Sequence, residues 1–406
     1  MSGLGRLQAL WRRALPRSVR TFIGPMLSAA TRTYARLNVR RRTGRVAMGQ
    51  GLKVVGLFSA TSGISASAKL CARALEALDI PVEKVDVAAQ GGLDFTRGLS
   101  RPTAAAAWIF HLNPAELLAA LAILGPRKVV GPRYGFWAWE LPKAPAAWLK
   151  DAAVVDEVWA PSRYTATSLA GAAAPVRVVP HPLFIEDYDG VEPAPRRAPF
   201  QAVSLFDFNS SLARKNPDGA IEAFRRAFAG DPACEFTIKT HNGHRFPELL
   251  AALRAKAPAN VRIVDEVWPY ADVLSLIAGA DVLISLHRAE GFGLTPAEAM
   301  ALGTPVLATG FSGVLDFMDE DCALMVSSRP VPVADPQGIY RGGQNWAEPD
   351  LEAAAAALQR LRQDPKLGVR LGAAGKAQVA RLLSPQAWFT TLPPTLKAAA
   401  MAAARH

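Results

Sequence analysis

Short apolar segments rich in branched residues recur along this chain, each followed by a stretch of helical character. They fall into two series on either side of one proline-rich segment. Residues 53–58, 82–87, 106–110, 154–160 and 176–179 read as strands of the first series, and 202–206, 235–239, 261–264, 281–286 and 305–308 as strands of the second. Apolar runs this short suit strands buried on both faces. Strands that alternate with helices need crossover connections, which implies parallel sheets covered by helices. Between the series lies Glu192-Pro-Ala-Pro-Arg-Arg-Ala-Pro199, whose three prolines mark a linker. At 406 residues the chain exceeds what one core usually serves. The expected α/β architecture is therefore two doubly wound, Rossmann-like domains facing a cleft. They would span 51–190 and 201–375, with a linker at 191–200, a helical segment at 376–406 and a basic N-terminal arm at 1–50.

The arm is where the charge sits. The chain has 46 Lys and Arg against 35 Asp and Glu, a formal +11. Residues 1–50 hold 11 Arg, no Lys and no acid, so the remainder carries 35 basic and 35 acidic groups and is neutral. Leu4, Leu7, Trp11 and Leu15 keep helical spacing among Arg6, Arg12, Arg13 and Arg17 until Pro16 interrupts. A basic amphipathic stretch suits an anionic membrane surface, each Arg adding about 1 kcal/mol while Trp and Leu enter the interface. A solvated tail, an organellar transit peptide and a nucleic-acid arm share that composition. Nucleic acid is not an expected partner, because a neutral body supplies no second basic surface. No run of eighteen apolar residues predicts a transmembrane helix, and no secretory leader stands out. Cys71, Cys234 and Cys322 are odd in number and far apart, which fits small buried side chains in a reducing cytoplasm rather than zinc ligands.

Glu290 and Glu298 bracket a glycine-rich turn, Glu290-Gly-Phe-Gly-Leu-Thr-Pro-Ala-Glu298, directly after the expected strand 281–286. The turn therefore lies at a strand's carboxyl end, where open α/β sheets bind ligands and the next helix presents its partly positive N-terminus. Gly291 and Gly293 allow close backbone approach. Thr295-Pro-Ala-Glu298 also fits a capping box, with Thr295 as N-cap, Pro296 first in the helix and Glu298 folded back. Glu290 precedes that helix and has no capping duty. Arg214-Lys215-Asn216-Pro217 ends a loop and opens a helix with Asn216 as N-cap. Two cations at a helix N-terminus suit a diphosphate, solvated surface charge being the alternative.

The segment from Glu290 to Glu298, continued by Ala299-Met-Ala-Leu-Gly-Thr-Pro-Val306, resembles the paired-glutamate motif of retaining GT-B-fold glycosyltransferases of family 4, the glycosyl transferases group 1. The likeness runs from about residue 53 to about 395. It includes YGFWAWELP at 134–142, VDEVWAPSRYTA at 155–166, VRVVPHPL at 176–183, FDFNSSLARKNPDGAIEAF at 206–224 and LRQDPKLGVRLGAAGKA at 361–377. It implies that Glu290 holds hydroxyls of a donor sugar and Glu298 those of the nucleotide ribose. Amides around Gly291, Phe292, Gly293 and Leu294 would face sugar and diphosphate, and Lys215 would draw on the leaving diphosphate. The family usually places an Arg several residues earlier; Asn209 and Ser210 stand there, making Arg214 its candidate substitute. His111, after the expected strand 106–110, matches a His directed at the donor sugar near its anomeric carbon. Gly63, in the small-residue loop 59–67, is a weaker phosphate-binding candidate.

Trp137, Trp139 and Glu140 lie in the half that usually holds the acceptor. Their rings would suit sugar faces and the acid a hydroxyl, with core packing the alternative for the tryptophans. Lys239, Asn242, Ser312 and Gly313 are expected at strand ends beside the nucleotide sugar, or as simple turn residues. The implied function is retaining transfer of a sugar from a nucleotide-diphosphate donor to a glycan or lipid-linked acceptor, in bacterial surface polysaccharide biosynthesis. No cofactor is expected beyond the nucleotide sugar as co-substrate, and no metal, because no DxD-type acidic pair is placed for one. The arm would hold a cytoplasmic enzyme at the inner face of the membrane. A sugar-nucleotide epimerase or phosphorylase of the same fold, and a catalytically silent nucleotide-sugar-binding protein or scaffold, are the alternatives.

Overall fold

The computed structural model describes residues 29–39 and 51–404, apart from 61, 90–91 and 95–96. The expectations for residues 1–28 and 40–50 of the arm fall outside the described residues. Strands β1 (Leu52–Gly56), β2 (Val82–Asp86), β3 (Ala107–Phe110), β4 (Arg133–Phe136), β5 (Glu157–Ala160) and β6 (Val176–Val178) form a parallel six-stranded sheet in the order β6-β5-β4-β3-β1-β2. A second parallel six-stranded sheet has the order β9-β8-β7-β10-β11-β12. Its strands are β7 (Phe200–Asp207), β8 (Cys234–His241), β9 (Val261–Asp265), β10 (Val282–Ser285), β11 (Val306–Thr309) and β12 (Leu324–Val326). Residues 191–196 between the sheets have no regular structure.

Each sheet reverses its strand order once, between β1 and β3 and between β7 and β10. Chains leaving the two strands of such a pair diverge to opposite faces and leave a crevice beyond their carboxyl ends. The four segments that leave these strands carry Gly63, His111, the Arg214-Lys215 pair and Glu290.

Alternate strand residues enter different cores, which explains the unbroken apolar runs. Leu52, Val54, Ala107 and Ile109 pack on Cys71, Ala72 and Leu75 of helix α1 (Gly63–Glu76). Val55, Trp108 and Phe110 pack with Leu117, Leu118 and Leu121 of α2 (Pro114–Leu124). In the second domain Ala202, Phe236 and Ile238 meet Ile221 and Phe224 of α3 (Pro217–Phe228), while Val203 and Leu283 face the opposite layer. Cys71, Cys234 and Cys322 are buried and free.

Several local expectations are corrected. β4 was not expected: Arg-Tyr-Gly-Phe is short and has no branched residue, yet it lies inside the first sheet, between β3 and β5. β12 was also missed, as was an antiparallel hairpin of β13 (Ser328–Pro332) and β14 (Asn345–Pro349). α1 begins at Gly63 rather than after the small-residue loop, because the Ser62 side chain caps it by accepting from the Ser65 amide. Residues 29–38 of the supposed arm form a helix on the first domain. Ala35 and Val39 join the core that holds Leu117 and Leu121, and Arg36 Nε donates to Asp151 at 2.6 Å. Among the described residues no helix is long and apolar enough to cross a membrane.

The chain ends by returning to its first domain. Helix α4 (Leu294–Leu302) packs against α5 (Pro365–Leu383), whose Leu367 and Leu371 belong to a second-domain core. Then α6 (Pro385–Thr391) and α7 (Pro394–Ala403) place Trp388, Leu392, Leu396 and Ala399 beside Leu52, Val54 and Cys71. Trp388 is 1% exposed. Trp388→Ala is expected to destabilise the first domain by about 3–5 kcal/mol. Equilibrium urea denaturation should show that domain's transition at lower denaturant.

Candidate active site

After β7 the chain makes a short helical turn, Leu212–Lys215, and Asn216 then adopts the left-handed conformation at φ 54°. The Asn216 side chain accepts from the Gly219 amide at 3.2 Å, as an N-cap should, and donates to Leu286 O at 2.9 Å. That second bond ties the segment after β7 to the segment after β10. Arg214 Nη1 donates to Ala289 O at 2.7 Å and lies 3.1 Å from Glu290 Oε2, while Lys215 Nζ donates to Glu290 Oε1. Arg214 is 3% exposed and Glu290 8%. Burial by itself would raise the Glu290 pKa, but Lys215 and then Arg214 outweigh it and hold the carboxyl at about 2. Burial likewise disfavours the Arg214 charge, and the Glu290 and Glu140 carboxylates oppose that. Arg214 is thus no solvated surface charge. Glu290, read from the sequence as free of structural duty, neutralises two cations.

The turn after Glu290 is braced from both domains. The Glu290 amide donates to Ser312 Oγ at 2.8 Å, and the Gly313 amide to Glu290 O at 2.9 Å. A Cβ on Gly313 would stand 2.4 Å from Gly291 O, so Ser312 and Gly313 serve as a support packed under the turn. From the first domain Ser162 Oγ and Thr165 Oγ1 donate to Gly291 O at 2.7 and 3.2 Å. The Phe292 ring is core, edge-on to His181 with centroids 4.9 Å apart. Gly293, at φ 103°, is the N-cap of α4, and Leu294 is its first residue. Thr295 therefore lies inside the helix, and the capping box does not form. Glu298 accepts from the Tyr270 hydroxyl at 2.7 Å, and burial pushes its carboxyl up to about 7 against that bond.

At the first sheet's switch point, the His111 ring stacks on Phe136 at 4.7 Å, with Nδ1 2.7 Å from Ser67 Oγ of α1. Burial and the neighbouring His181 press its pKa down to about 3, so it is neutral at pH 7. Its Nε2 is buried with no hydrogen-bond partner among the described residues. A neutral imidazole held at one nitrogen keeps the other for a ligand. Gly63 opens α1, where an added Cβ would meet nothing within 4 Å.

The residues expected on the acceptor side separate. Trp137 is fully buried, edge-on to Trp148 at 6.2 Å, which makes it core and not a sugar platform. Trp139 is half-buried, its Nε1 donating to Lys143 O at 3.0 Å and its ring 5.7 Å from Tyr340. Glu140 Oε2 accepts from Tyr340 Oη at 2.9 Å. Lys239 is folded back on the Thr240 and Glu266 carbonyls beneath Trp268, and Asn242 donates to Asp207 Oδ1 at 2.8 Å. Both brace strand ends. Sequence reasoning missed Ser162, Thr165, Tyr270 and Tyr340, whose partners are distant in the chain. It also missed Arg245, whose Nη1 donates to Asn209 Oδ1 at 2.9 Å, bringing a cation to the position where the expected upstream Arg is lacking. Among the described residues no His, Cys, Asp and Glu group is placed to hold a metal ion.

The depressed Glu290 pKa has a definite pH signature. Its contribution to stability is complete above the ordinary value of 4.5 and is lost as pH falls towards about 2. That shift is worth about 3 kcal/mol. Glu290→Gln should lose about that much at pH 7 and show a shallower acid limb. Urea denaturation at pH 7 and pH 3 checks this, and parallel curves for both proteins would show that the ion pair contributes nothing.

Residues 208–325 match the family model described as glycosyl transferases group 1. The chain is 25% identical over 293 residues to the GDP-mannose-dependent monoacylated alpha-(1-6)-phosphatidylinositol monomannoside mannosyltransferase of Corynebacterium glutamicum, covering 67% of this chain and 71% of that protein. Anabaena Alr3699/HepE, solved with UDP and glucose, superposes with a TM-score of 0.58 at 14% identity, over 84% of this chain and 97% of that one. S. aureus TarM, solved as a variant with Fondaparinux, alpha-GlcNAc-glycerol and UDP, gives 0.53 at 11% identity over 71% of this chain. The chain spans 55% of the TarM chain.

Proposed function

We propose that this chain, which has the GT-B fold and a glycosyl transferases group 1 domain, transfers a sugar from a nucleoside-diphosphate donor to a glycan or lipid-linked acceptor with retention of configuration. The observation that carries the proposal is Glu290 enclosed between Arg214 and Lys215 at the switch point of the second sheet. A diphosphate arriving there replaces Glu290 as the counter-ion and frees the carboxylate for sugar hydroxyls. When the glycosidic C–O bond breaks, negative charge grows on the departing phosphate oxygen beside Arg214 and Lys215. Charge-assisted hydrogen bonds of about 1.5–3 kcal/mol each, if stronger in the transition state, lower the barrier. The cations supply the charge that a metal would otherwise bring, so the reaction proceeds without metal or cofactor.

His111 offers Nε2 to the sugar, Glu298 with Tyr270 takes the ribose, and Trp139 with Glu140 receives the acceptor. The Corynebacterium relative is named for GDP-mannose and a phosphatidylinositol mannoside, which supports a nucleotide sugar and a lipid-linked acceptor. Surface polysaccharide assembly at the inner face of the membrane suits such an acceptor. The basic residues 1–28 would supply the membrane contact, since 29–39 already pack on the first domain.

Thermal-shift screening against nucleotide sugars identifies the donor, and NMR of the product gives its anomeric configuration. Lys215→Ala should lower kcat by about 10²–10³-fold, and a chelator should leave turnover intact. In the same titrations nucleotide affinity should rise between pH 6 and 8 as Glu298 ionises, and Glu298→Gln should remove that rise. Absence of any nucleotide-sugar shift, or an inverted product, overturns the reading. The full chain should co-sediment with anionic vesicles more strongly than a chain lacking residues 1–28; equal binding ends the membrane role.

A further inference from the structure

The β13–β14 hairpin leaves the second domain after β12, and its connecting loop, residues 333–344, reaches the first domain. One end of the loop is fastened to the turn that carries the cations. Asp335 accepts from Ser211 Oγ at 3.0 Å and from the Ile339 and Tyr340 amides at 2.9 and 3.0 Å, and Gln337 Nε2 donates to Phe208 O at 2.7 Å. The other end is clamped to the acceptor side. Gln344 accepts from the Lys143 amide at 2.7 Å and donates to Lys143 O at 3.1 Å. Between these anchors Val333, Tyr340 and Trp346 share a small apolar cluster with Leu141 of the first domain and Ala289 beside Glu290.

We propose that Tyr340 is a positioning residue of the transfer reaction, a second-domain side chain that orients Glu140 of the first domain toward the acceptor only while the domains are closed. This rests on the reading that Glu140 addresses the acceptor. Tyr340 is 6% exposed, and its hydroxyl donates to Glu140 Oε2 at 2.9 Å. A buried phenol needs a partner, and a carboxylate that accepts from one loses rotational freedom. The Tyr340 ring lies 5.7 Å from Trp139 and 5.9 Å from the Arg214 guanidinium, so one side chain lies beside both the acceptor floor and Arg214. Burial first, and the Glu140 carboxylate with it, keep the phenol protonated and therefore a donor. Opening the cleft breaks this bond and releases Glu140, whereas the bonds through Asp335 and Gln337 stay within the second domain. Alignment of the acceptor is thereby made conditional on closure over the donor.

The decisive comparison is between wild type, Tyr340→Phe, Glu140→Gln and the double variant, all as full chains. Tyr340→Phe should cut kcat/KM for the acceptor about tenfold or more while leaving the nucleotide Kd unchanged. Because the phenol acts through Glu140, the double variant should be no worse than Glu140→Gln alone. Losses that multiply, or a nucleotide Kd that rises as turnover falls, overturn the proposal. Hydrogen exchange of the amides of Trp139, Glu140, Leu141 and Lys143 needs no substrate and should speed up in Tyr340→Phe. Unchanged protection there overturns the proposal even if the protein transfers sugar. Faster exchange in a protein that turns over no nucleotide sugar leaves the cross-domain bond standing and removes the transferase reading instead.

Discussion

Arg214, Lys215 and Glu290 are largely shut away from water, and much of the architecture around them follows from that enclosure. Removing charges from water is expensive, and only close partners with further hydrogen bonds repay the cost. Glu290 meets the first requirement through two cations, and Arg214 meets the second through the Ala289 carbonyl. The enclosure itself needs both domains. Ser162 and Thr165 reach Gly291 from the first, and Phe292 packs against His181. The cleft is therefore closed by contacts made at the charged turn itself.

Charge balance gives this closed state its chemical meaning. Two cations, Arg214 and Lys215, face two acids, Glu290 and Glu140. In the proposed reaction a diphosphate that enters this balanced group displaces one of the acids from the cations. Glu290, whose pKa both cations hold down to about 2, is the acid in direct contact with both. A carboxylate freed by its own competitor can accept hydroxyls from the group that competitor carries. On that proposal structural enclosure and ligand exchange use the same three side chains, and the loop with Tyr340 connects them to Glu140 of the first domain.

Much of the α/β alternation was legible, because strands buried on both faces leave short apolar runs that helices and prolines separate. β4 escaped notice because Arg-Tyr-Gly-Phe is accepted by its neighbours in the sheet and not by its own composition. Trp137 and Trp139 illustrate the same limit within three residues. Both are tryptophans in one irregular segment and both meet Trp148 edge-on, yet Trp137 is fully buried and Trp139 lies partly open beside Tyr340. Thr295 had every local mark of an N-cap and lost the role to Gly293, whose left-handed backbone starts the helix earlier. Helix 29–38 was hidden inside a charge run, because its apolar anchors in the first-domain core are few, Ala35 and the adjoining Val39 among them.

The sequence by itself determined the two α/β series, the proline-rich break between them, the glycine-rich turn from Glu290 to Glu298 and the cation pair before α3. These depend on properties of neighbouring residues: periodicity, backbone permissiveness and charge. Tertiary structure alone decided that the cation pair and Glu290 meet, since they are 75 residues apart in the chain and are brought together by strand order at a switch point. It likewise decided that Glu298 answers to Tyr270, and that a loop from the second domain holds Glu140 of the first. Such contacts are set by which strands pair and how the domains close, and no local pattern encodes either.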